Sequence, residues 1–397
     1  MKPRIFITMH YLEIGGAEIS LIGLLRAIDY SKYDVDLFIH SHRGELMSMI
    51  PKQVNLLPEI KKYSVLEAPI TTCLKRGFVD VAFCRLIGKL RKKFYYWTHP
   101  DVGEDDDFFF SHYTTWLLPK INPMAKYNLA ISFLTPHLIV LDKVRAKKKV
   151  AWIHTDYQTL RVASDLVLPM WEKYDKIISI SKDITTTFLN VFPTLENKVI
   201  EVENILSPTS VREQAQAFEI SGEMPSSSLK LLSIGRYCHP KNFDNLPDIA
   251  QRMVSMGVTD FRWYIIGFGP DEELIRKKIA EAGMEDHVIL LGKKENPYPY
   301  IKACDIYVQP SRYEGKSVTV REAQILCKPV IITNYATAKS QVLDGIDGII
   351  VPMDNEGCAK GIVEAIKNKE LLSSISDYLS THDYGNEKEV EKVYKLI

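Results

Sequence analysis

The chain has 397 residues, which is long enough for two domains that each bury a core of their own. Its 50 basic and 50 acidic residues cancel at pH 7, which argues against a nucleic-acid-binding protein that relies on bulk positive charge. The 6 cysteines are scattered without a C-x-x-C pair and form no metal-ligand pattern with the 10 histidines, so we expect reduced cysteines, a cytoplasmic protein and no bound metal or cofactor.

The first residues predict a strand and not a secretion signal. Their apolar run is short, and His10 and Glu13 interrupt it. No segment of the sequence reaches the roughly 20 apolar residues that a membrane-spanning helix needs.

The first half of the chain alternates between strand and helix patterns. A strand at 4–8 leads into Gly15 and Gly16, a helix runs to about 28, and a second strand covers 34–39. This order opens a doubly wound parallel sheet. Further strands are predicted at 129–132, 149–154, 176–180 and 199–202, and Pro193 ends a helix at 182–192. Residues from about 45 to 125 give no comparable pattern.

A second alternating series follows a change of composition at about 206–228, where serine and proline mark a linker. Strands are predicted at 231–234, 262–266, 288–291, 306–309, 329–333 and 348–351. Helices are predicted at 243–256, 271–282, 298–304, 317–326, 355–367 and, at the tail, 388–397.

The stretch 311–326 carries the strongest chemical signal. It joins an apolar strand to a helix through a turn with Gly315, and the free amides of a first helical turn favour an anion. Glu314 and Glu322 flank this turn, and carboxylates suit the paired hydroxyls of a sugar or ribose. Phosphate beside hydroxyls indicates a nucleotide sugar.

Glu314 and Glu322, with seven residues between them and Ala323 following, resemble the E-x7-E signature of retaining glycosyltransferases of family 4. The alternative from the residues alone is that Thr319 caps the helix, Glu322 closes a capping box and Glu314 is solvated.

A second element is similar to this family. Gly235 and Arg236 end a predicted strand and Lys241 follows, as in the G-R-x(n)-K-G motif whose cations hold the donor diphosphate. Asn242 stands where the family usually has glycine. The competing interpretation is that Arg236 and Lys241 are surface charges beside a turn.

The resemblance implies a role for each matching residue. Arg236 and Lys241 bind the diphosphate, Glu314 binds hydroxyls of the donor sugar, and Glu322 binds the ribose. His154, at the end of a strand, lies near the reacting carbon, with Asp156 to orient it or to bind the acceptor. The remaining donor-binding residues that it implies are Gly15, Gly16, Gly235, Gly267, Asn296, Gly315, Lys316 and Ser317.

The resemblance also implies an α/β GT-B fold of two doubly wound, Rossmann-like domains facing across a cleft. The predicted boundaries are 1–206 plus about 382–397 for an acceptor-side domain, and 207–381 for a nucleotide-sugar-binding domain. The implied reaction is metal-independent transfer of a sugar, with retention, from a UDP-sugar to a hydroxyl of a carbohydrate or lipid-linked acceptor, in polysaccharide or glycolipid synthesis. A nucleotide-sugar epimerase of the same fold and a non-catalytic nucleotide-sugar-binding protein are the alternatives.

A basic and aromatic stretch at 89–97 suggests one further partner. Lysines beside aromatic rings, here Lys89, Lys93 and Trp97, suit an anionic membrane surface, as does the lysine cluster at 143–149. Peripheral contact with the inner face of a membrane is therefore one interpretation, and a solvated helix face is the other.

Overall fold

The chain divides into two compact units. Unit 1 comprises Met1–Ile205 and Asn386–Ile397, and unit 2 comprises Leu206–Gly385. The structure is a computed structural model, and it describes residues 2–13, 15–66, 68–99, 106–155, 157, 162–225 and 228–397, with the backbone alone at 106 and 107. The predicted boundaries were 206 and about 382, against 205 and 385 here.

Unit 1 is built on a seven-stranded parallel sheet with the strand order β3-β2-β1-β4-β5-β6-β7. Its strands are β1 (Arg4–Met9), β2 (Asp34–Ile39), β3 (Asn55–Leu56), β4 (Tyr127–Ser132), β5 (Ala146–Ile153), β6 (Lys176–Ser179) and β7 (Val199–Glu201). Its helices before unit 2 are α1 (Gly16–Ala27), α2 (Ile70–Lys75), α3 (Val79–Thr98), α4 (Asp106–Thr115), α5 (Leu138–Lys143), α6 (Ser164–Trp171) and α7 (Lys182–Val191).

Alternate residues of each central strand enter different cores. In β1, Phe6 packs into one hydrophobic cluster, whereas Ile5 and Ile7 pack into the cluster on the opposite face of the sheet. Both faces of the sheet are therefore covered, which explains why the sequence of β1 is continuously apolar and not alternating.

Unit 2 is built on a six-stranded parallel sheet with the order β10-β9-β8-β11-β12-β13. Its strands are β8 (Leu229–Ile234), β9 (Phe261–Ile266), β10 (Val288–Gly292), β11 (Ile306–Gln309), β12 (Val330–Thr333) and β13 (Ile349–Val351). Its helices are α8 (Pro208–Gln214), α9 (Leu246–Ser255), α10 (Glu272–Ala282), α11 (Tyr298–Ala303), α12 (Val318–Ile325), α13 (Ala338–Gln341), α14 (Asn355–Lys367) and α15 (Lys369–Thr381).

The last segment of the chain returns to unit 1 as α16 (Val390–Tyr394), preceded by a 3-10 turn at Glu387–Glu389. The Tyr394 hydroxyl accepts from the Asp29 amide (2.7 Å), and its ring stacks on Tyr33. Val390 and Val393 are buried in the core of unit 1. Unit 2 is therefore an insertion into unit 1.

Both sheets confirm the predicted α/β class with doubly wound parallel strands. In each sheet the strand order reverses beside the first strand, between β1 and β4 in unit 1 and between β8 and β11 in unit 2. The crevice at the carboxyl ends of such strands is where open α/β sheets bind ligands.

The irregular stretch at about 45–125 contains three helices, α2 to α4, that the sequence did not predict. The longest of them, α3, packs on α2 and α4 and has 20 residues. Across the described ranges, no helix combines the length and apolar character needed to cross a bilayer.

Candidate functional site

The site in unit 2 lies where β8 and β11 run side by side. Leu231 and Leu232 of β8 are in register with Ile306 and Tyr307 of β11. The loop after β8 carries Gly235, Arg236 and Lys241, and the loop after β11 carries Glu314 and Gly315. The predicted motifs therefore meet at the reversal point of the sheet.

A cation and a carboxylate join the two loops. Lys241 Nζ lies 2.5 Å from Glu314 Oε1, and Glu314 is 9% exposed. The same oxygen accepts from Ser311 Oγ (2.7 Å) and from Gln309 Nε2 (3.1 Å). Three donors thus fix the carboxylate, which is not the solvated group that the alternative interpretation required.

Two side chains from the region of α13 hold the turn after β11. Thr337 Oγ1 donates to the Glu314 carbonyl (2.9 Å). Gln341 Nε2 donates to the Ser317 carbonyl (2.5 Å), and its Oε1 accepts from the Ser317 amide (3.0 Å). The Ser317 amide would therefore have to leave Gln341 before it could hold a phosphate. At Gly315 the space beside the backbone is open, since an added Cβ would meet nothing within 4 Å.

The glycine before Arg236 makes room for the lysine. A Cβ at Gly235 would lie 3.2 Å from both Cδ and Cε of Lys241, so the lysine stem crosses this glycine. Arg236 is exposed, and it takes part in none of the ion pairs found among the described residues. Lys241 is thus placed by packing and an ion pair, while Arg236 projects from the neighbouring position.

The conformation of Asn242 explains why asparagine can stand where the G-R-x(n)-K-G motif has glycine. Its backbone is left-handed (φ 62°, ψ 20°), a conformation that glycine and asparagine adopt most easily. The side chain is 2% exposed and donates to the Pro310 carbonyl (2.9 Å). Asparagine therefore satisfies the same backbone requirement and adds a bond to the loop after β11.

Arg312, which the sequence did not single out, ties the two loops together. Its amide donates to the Pro240 carbonyl (2.9 Å), and its guanidinium binds both oxygens of Asp244 at 2.8 and 2.9 Å. Burial opposes the charge of Asp244, but the bonds from Arg312 and Lys278 outweigh it and lower the pKa of that carboxyl. A bidentate ion pair of this kind fixes the relative orientation of the two side chains and also neutralises their charges.

Glu322 is fully buried in α12. The Tyr298 hydroxyl donates to its Oε1 (2.8 Å), whereas Oε2 has no hydrogen-bond partner in the described part of the chain. Burial raises the pKa of Glu322 to about 7. No side chain caps α12, whose first flanking residue is Ser317, so the capping-box interpretation with Thr319 is wrong.

The glycine pair after β9 serves packing. A Cβ at Gly267 would lie 1.9 Å from the Gly235 carbonyl oxygen, and one at Gly269 would lie 2.3 Å from that of Tyr237. Asn296 is also engaged, since its Nδ2 donates to the Gln214 carbonyl (2.8 Å) and its Oδ1 accepts from the Tyr298 amide (3.1 Å). A donor-binding role for Gly267 and Asn296 stays a prediction.

In unit 1, His154 directly follows β5. Its ring stacks on Trp152 and lies 4.7 Å from the ring of Phe133. Burial lowers the pKa of His154 to about 3, so the ring is neutral and can exchange hydrogen bonds but does not carry charge at neutral pH. Asp156 lies outside the described residues.

Gly15 and Gly16 follow β1 and open α1. Gly15 lacks the side chain that would clash with Glu18, whose Oε2 lies 2.3 Å from the Cβ position, while a Cβ at Gly16 would meet nothing within 4 Å. Burial raises the pKa of Glu18, which lies 3.7 Å from His10 Nε2. Glu18 is thus a buried carboxyl in the first turn of α1.

A cavity of about 290 Å³ opens at the carboxyl ends of β1 and β2. Burial lowers the pKa of His10 to about 4 and that of His40 to about 3, so both rings are neutral. The Arg43 guanidinium lies over the ring of Tyr11 at 4.4 Å. Other lining residues are Tyr63, Thr72 and Arg76. The described residues form no group of three or more His, Cys, Asp or Glu that could hold a metal.

Comparison with known proteins finds similarity to glycosyltransferases. Residues 216–381 match the family described as glycosyl transferases group 1. An uncharacterized glycosyltransferase of Haemophilus influenzae is 26% identical over 55% of this chain and 60% of its own length. The chain is also similar to the N-acetylgalactosamine-N,N'-diacetylbacillosaminyl-diphospho-undecaprenol 4-alpha-N-acetylgalactosaminyltransferase of Campylobacter jejuni, at 25% identity over 95% of this chain and 94% of that protein.

Solved structures share the fold at low identity. HepE of Anabaena, in complex with UDP and glucose, has a TM-score of 0.66 at 13% identity and covers 99% of this chain and 98% of its own. TarM of S. aureus, in a complex that contains UDP, has a TM-score of 0.65 at 13% identity, with 100% and 99% covered. The chain therefore has the GT-B fold, and its residues 216–381 match the family described as glycosyl transferases group 1.

Proposed function

We propose that the protein transfers a sugar, with retention of configuration, from a nucleoside diphosphate sugar to a hydroxyl of a carbohydrate or lipid-linked acceptor. The observation that carries the proposal is the meeting of Lys241 and Glu314 at the strand reversal of unit 2, with Arg236 exposed beside them. A cation for a leaving phosphate and a carboxylate for sugar hydroxyls are the two groups that such a donor requires.

Fixed cations lower the barrier because charge develops on the leaving group. As the bond between the anomeric carbon and the diphosphate oxygen breaks, the electron pair goes to the diphosphate. Lys241 and Arg236 stabilise this charge more in the transition state than in the bound donor. The acceptor oxygen bonds the anomeric carbon on the face that the diphosphate leaves, and a phosphate oxygen takes the acceptor proton.

The two glutamates bind different hydroxyls of the donor. Glu314 accepts from the transferred sugar, in a position that its three donors fix. Oε2 of Glu322 is a buried acceptor without a partner among the described residues, and such an atom is costly unless a ligand supplies a donor. A ribose hydroxyl is that donor in our proposal. Gly315 and Lys316 line the phosphate, and Ser317 joins them once its amide has left Gln341.

Unit 1 supplies the acceptor side in this proposal. His154 is neutral and offers hydrogen bonds to a hydroxyl of a bound sugar. Gly15 and Gly16 let a ligand approach the backbone at the start of α1. The cavity lined by Tyr11, His40 and Arg43 has a mixture of ring faces and polar groups that suits a carbohydrate.

The comparisons support the identity of donor and acceptor. HepE and TarM bind UDP, and the Campylobacter jejuni relative acts on a sugar linked to diphospho-undecaprenol. We therefore assign a UDP-sugar as donor and a role in polysaccharide or glycolipid synthesis. All six cysteines are free, which fits the reducing cytoplasm.

Replacement of the central cation tests the assignment. Lys241→Ala should lower turnover of the UDP-sugar about 10²–10³-fold, because one preorganised charge-stabilising group is lost. The matched control is Lys277→Ala, which removes an exposed lysine from α10. Turnover near that of wild type in Lys241→Ala would remove this residue from the mechanism.

A panel of UDP-sugars, with and without candidate acceptors, identifies the reaction. Binding of the donor should raise the melting temperature, since a ligand that binds only the folded state stabilises it. A glycoside with the anomeric configuration of the donor is the expected product. An isomerised sugar from donor alone would instead indicate an epimerase, and binding without turnover would indicate a non-catalytic protein.

We also propose that the cations replace a divalent metal. Transfer should then continue in excess EDTA at an unchanged rate. Loss of transfer in EDTA, restored by Mg²⁺, would contradict this part of the proposal and leave the choice of donor intact.

A further inference from the structure

Helix α3 presents an outward stripe of large apolar side chains. Between 47% and 78% of each of these side chains is exposed. At about 100° per residue they all fall within an arc of about 80°, and they extend over about 27 Å of helix. They are Val79, Phe83, Leu86, Leu90, Phe94 and Trp97.

The opposite face anchors α3 to unit 1. Val81, Arg85 and Gly88 are buried there, and Ala82 is buried beside one edge of the stripe. The Arg85 guanidinium donates to the Leu66 carbonyl and lies 5.0 Å from the ring of Phe110. Because α3 packs on unit 1 through this face, the apolar stripe points away from unit 1 and is not part of its hydrophobic core.

Basic residues border the stripe on both sides. At the same angular spacing, Lys89 and Lys93 follow one edge and Arg91 follows the other, and all three are exposed. Residues 81–99 contain five basic and no acidic side chains. Since an apolar stripe between cations is the pattern of a helix that lies in the headgroup region of a bilayer, the face matches an anionic lipid surface.

We propose that α3 docks unit 1 onto an anionic membrane, with the apolar stripe in the boundary between headgroups and acyl chains. The positive charge beside the stripe favours a membrane over a second copy of the chain as the partner. A symmetric dimer through α3 would bring two basic faces together, whereas anionic lipid headgroups neutralise them. The proposal goes beyond the transfer reaction and does not depend on it.

Flotation with lipid vesicles tests the proposal. Wild type should float with vesicles of phosphatidylcholine and phosphatidylglycerol, and less of it should float in high salt or with phosphatidylcholine alone. Leu90→Glu with Phe94→Glu should lower the partition coefficient at least 10-fold. Lys89→Gln, Arg91→Gln and Lys93→Gln together should lower it about 100-fold, at about fivefold per cation.

Leu274→Glu is the matched control, because Leu274 is a similarly exposed leucine on helix α10. It should float like wild type. Equal flotation of wild type and the Leu90→Glu, Phe94→Glu protein would overturn the proposal, as would failure of wild type to bind anionic vesicles. If light scattering shows a dimer of wild type and a monomer of the Leu90→Glu, Phe94→Glu protein, the apolar stripe of α3 binds a second copy of the chain instead.

Two further measurements separate the proposal from folding and from the transfer reaction. The melting temperature and its rise with UDP-sugar should be the same in the α3 variants and in wild type. In a Trp116→Phe background, brominated lipid should quench the emission of Trp97, since Trp152, Trp171 and Trp263 are at most 1% exposed. Unquenched emission would contradict insertion of the stripe.

Discussion

Asn242 combines two tasks at the residue scale. Its left-handed backbone turns the chain after Lys241, and its buried amide bonds the Pro310 carbonyl. Backbone conformation and a cross-loop bond therefore both depend on one side chain in the loop that presents Lys241.

Two substitutions separate these tasks. Asn242→Gly and Asn242→Ala both lose the bond to Pro310, worth about 1 kcal/mol, but only alanine is strained in the left-handed region. Asn242→Ala should therefore be less stable than Asn242→Gly by about 1 kcal/mol in urea unfolding. Equal midpoints for the two variants would show that backbone strain has no part in the choice of residue.

Glu322 should make stability depend on pH. Its pKa of about 7 in the folded state lies above the usual 4.5, so its contribution is fully present below pH 4.5 and is lost as the pH rises through 7. Glu322→Gln cannot lose a proton. Its melting temperature relative to wild type should therefore rise between pH 5 and pH 8.

The exposed Glu281→Gln on α10 is the control for this substitution. It should show a constant difference from wild type across the same range. A constant difference for Glu322→Gln as well would mean that the carboxyl titrates alike in the folded and unfolded chain.

At the scale of elements, the loops after β8 and β9 approach each other without space for a side chain. The Gly235 carbonyl, two residues before Tyr237, occupies the position that a Cβ of Gly267 would take. The loop that carries Arg236 and Lys241 therefore depends on the neighbouring strand for its path.

Gly267→Ala should destabilise the protein by about 1–3 kcal/mol or more, because the clash is with backbone that cannot turn aside. Gly315→Ala is the matched control, since its added methyl group meets nothing within 4 Å. Its unfolding free energy should stay within about 0.5 kcal/mol of wild type. Equal stabilities of the two variants in urea unfolding would contradict the close approach.

Strand patterns predicted every strand of both sheets except β3, and local motifs predicted that Lys241 and Glu314 belong to one site. The partners that complete the turn could not be predicted in the same way. Thr337 and Gln341 reach the turn from more than 20 residues further along the chain, and only tertiary packing brings them there. The bounds of helix α3 were not predicted because its large apolar residues face outward, whereas its buried residues are three small ones and the charged Arg85, which reverses the usual pattern.

At the scale of the whole molecule, the two units should respond differently to acid. Unit 1 contains four histidines whose pKa values are lowered to between about 3 and 4, namely His10, His40, His137 and His154. A lowered pKa gives stability that is present above the unfolded value of 6.5 and is lost as the pH falls towards the folded value. Unit 2 instead contains Glu322, whose contribution has the opposite sign.

Unit 1 should therefore lose stability first as the pH falls below 6.5, by about 1.4 kcal/mol per pH unit for each histidine. Hydrogen exchange between pH 7 and pH 5, corrected for its intrinsic rate, reports the two units separately. His40→Gln should make unit 1 less sensitive to acid, whereas the exposed His382→Gln in unit 2 should leave the profile unchanged. Uniform loss of protection in both units would contradict this account.

The return of the chain to unit 1 has a consequence for biosynthesis. Val390, Val393 and Tyr394 pack into the core of unit 1, yet they are synthesised only after the whole of unit 2. The nascent polypeptide can finish unit 2 while unit 1 still lacks its closing helix, which reverses the usual N-terminal-first order of folding. A ribosome stalled before residue 386 has emerged would thus hold a folded unit 2 within an incomplete unit 1.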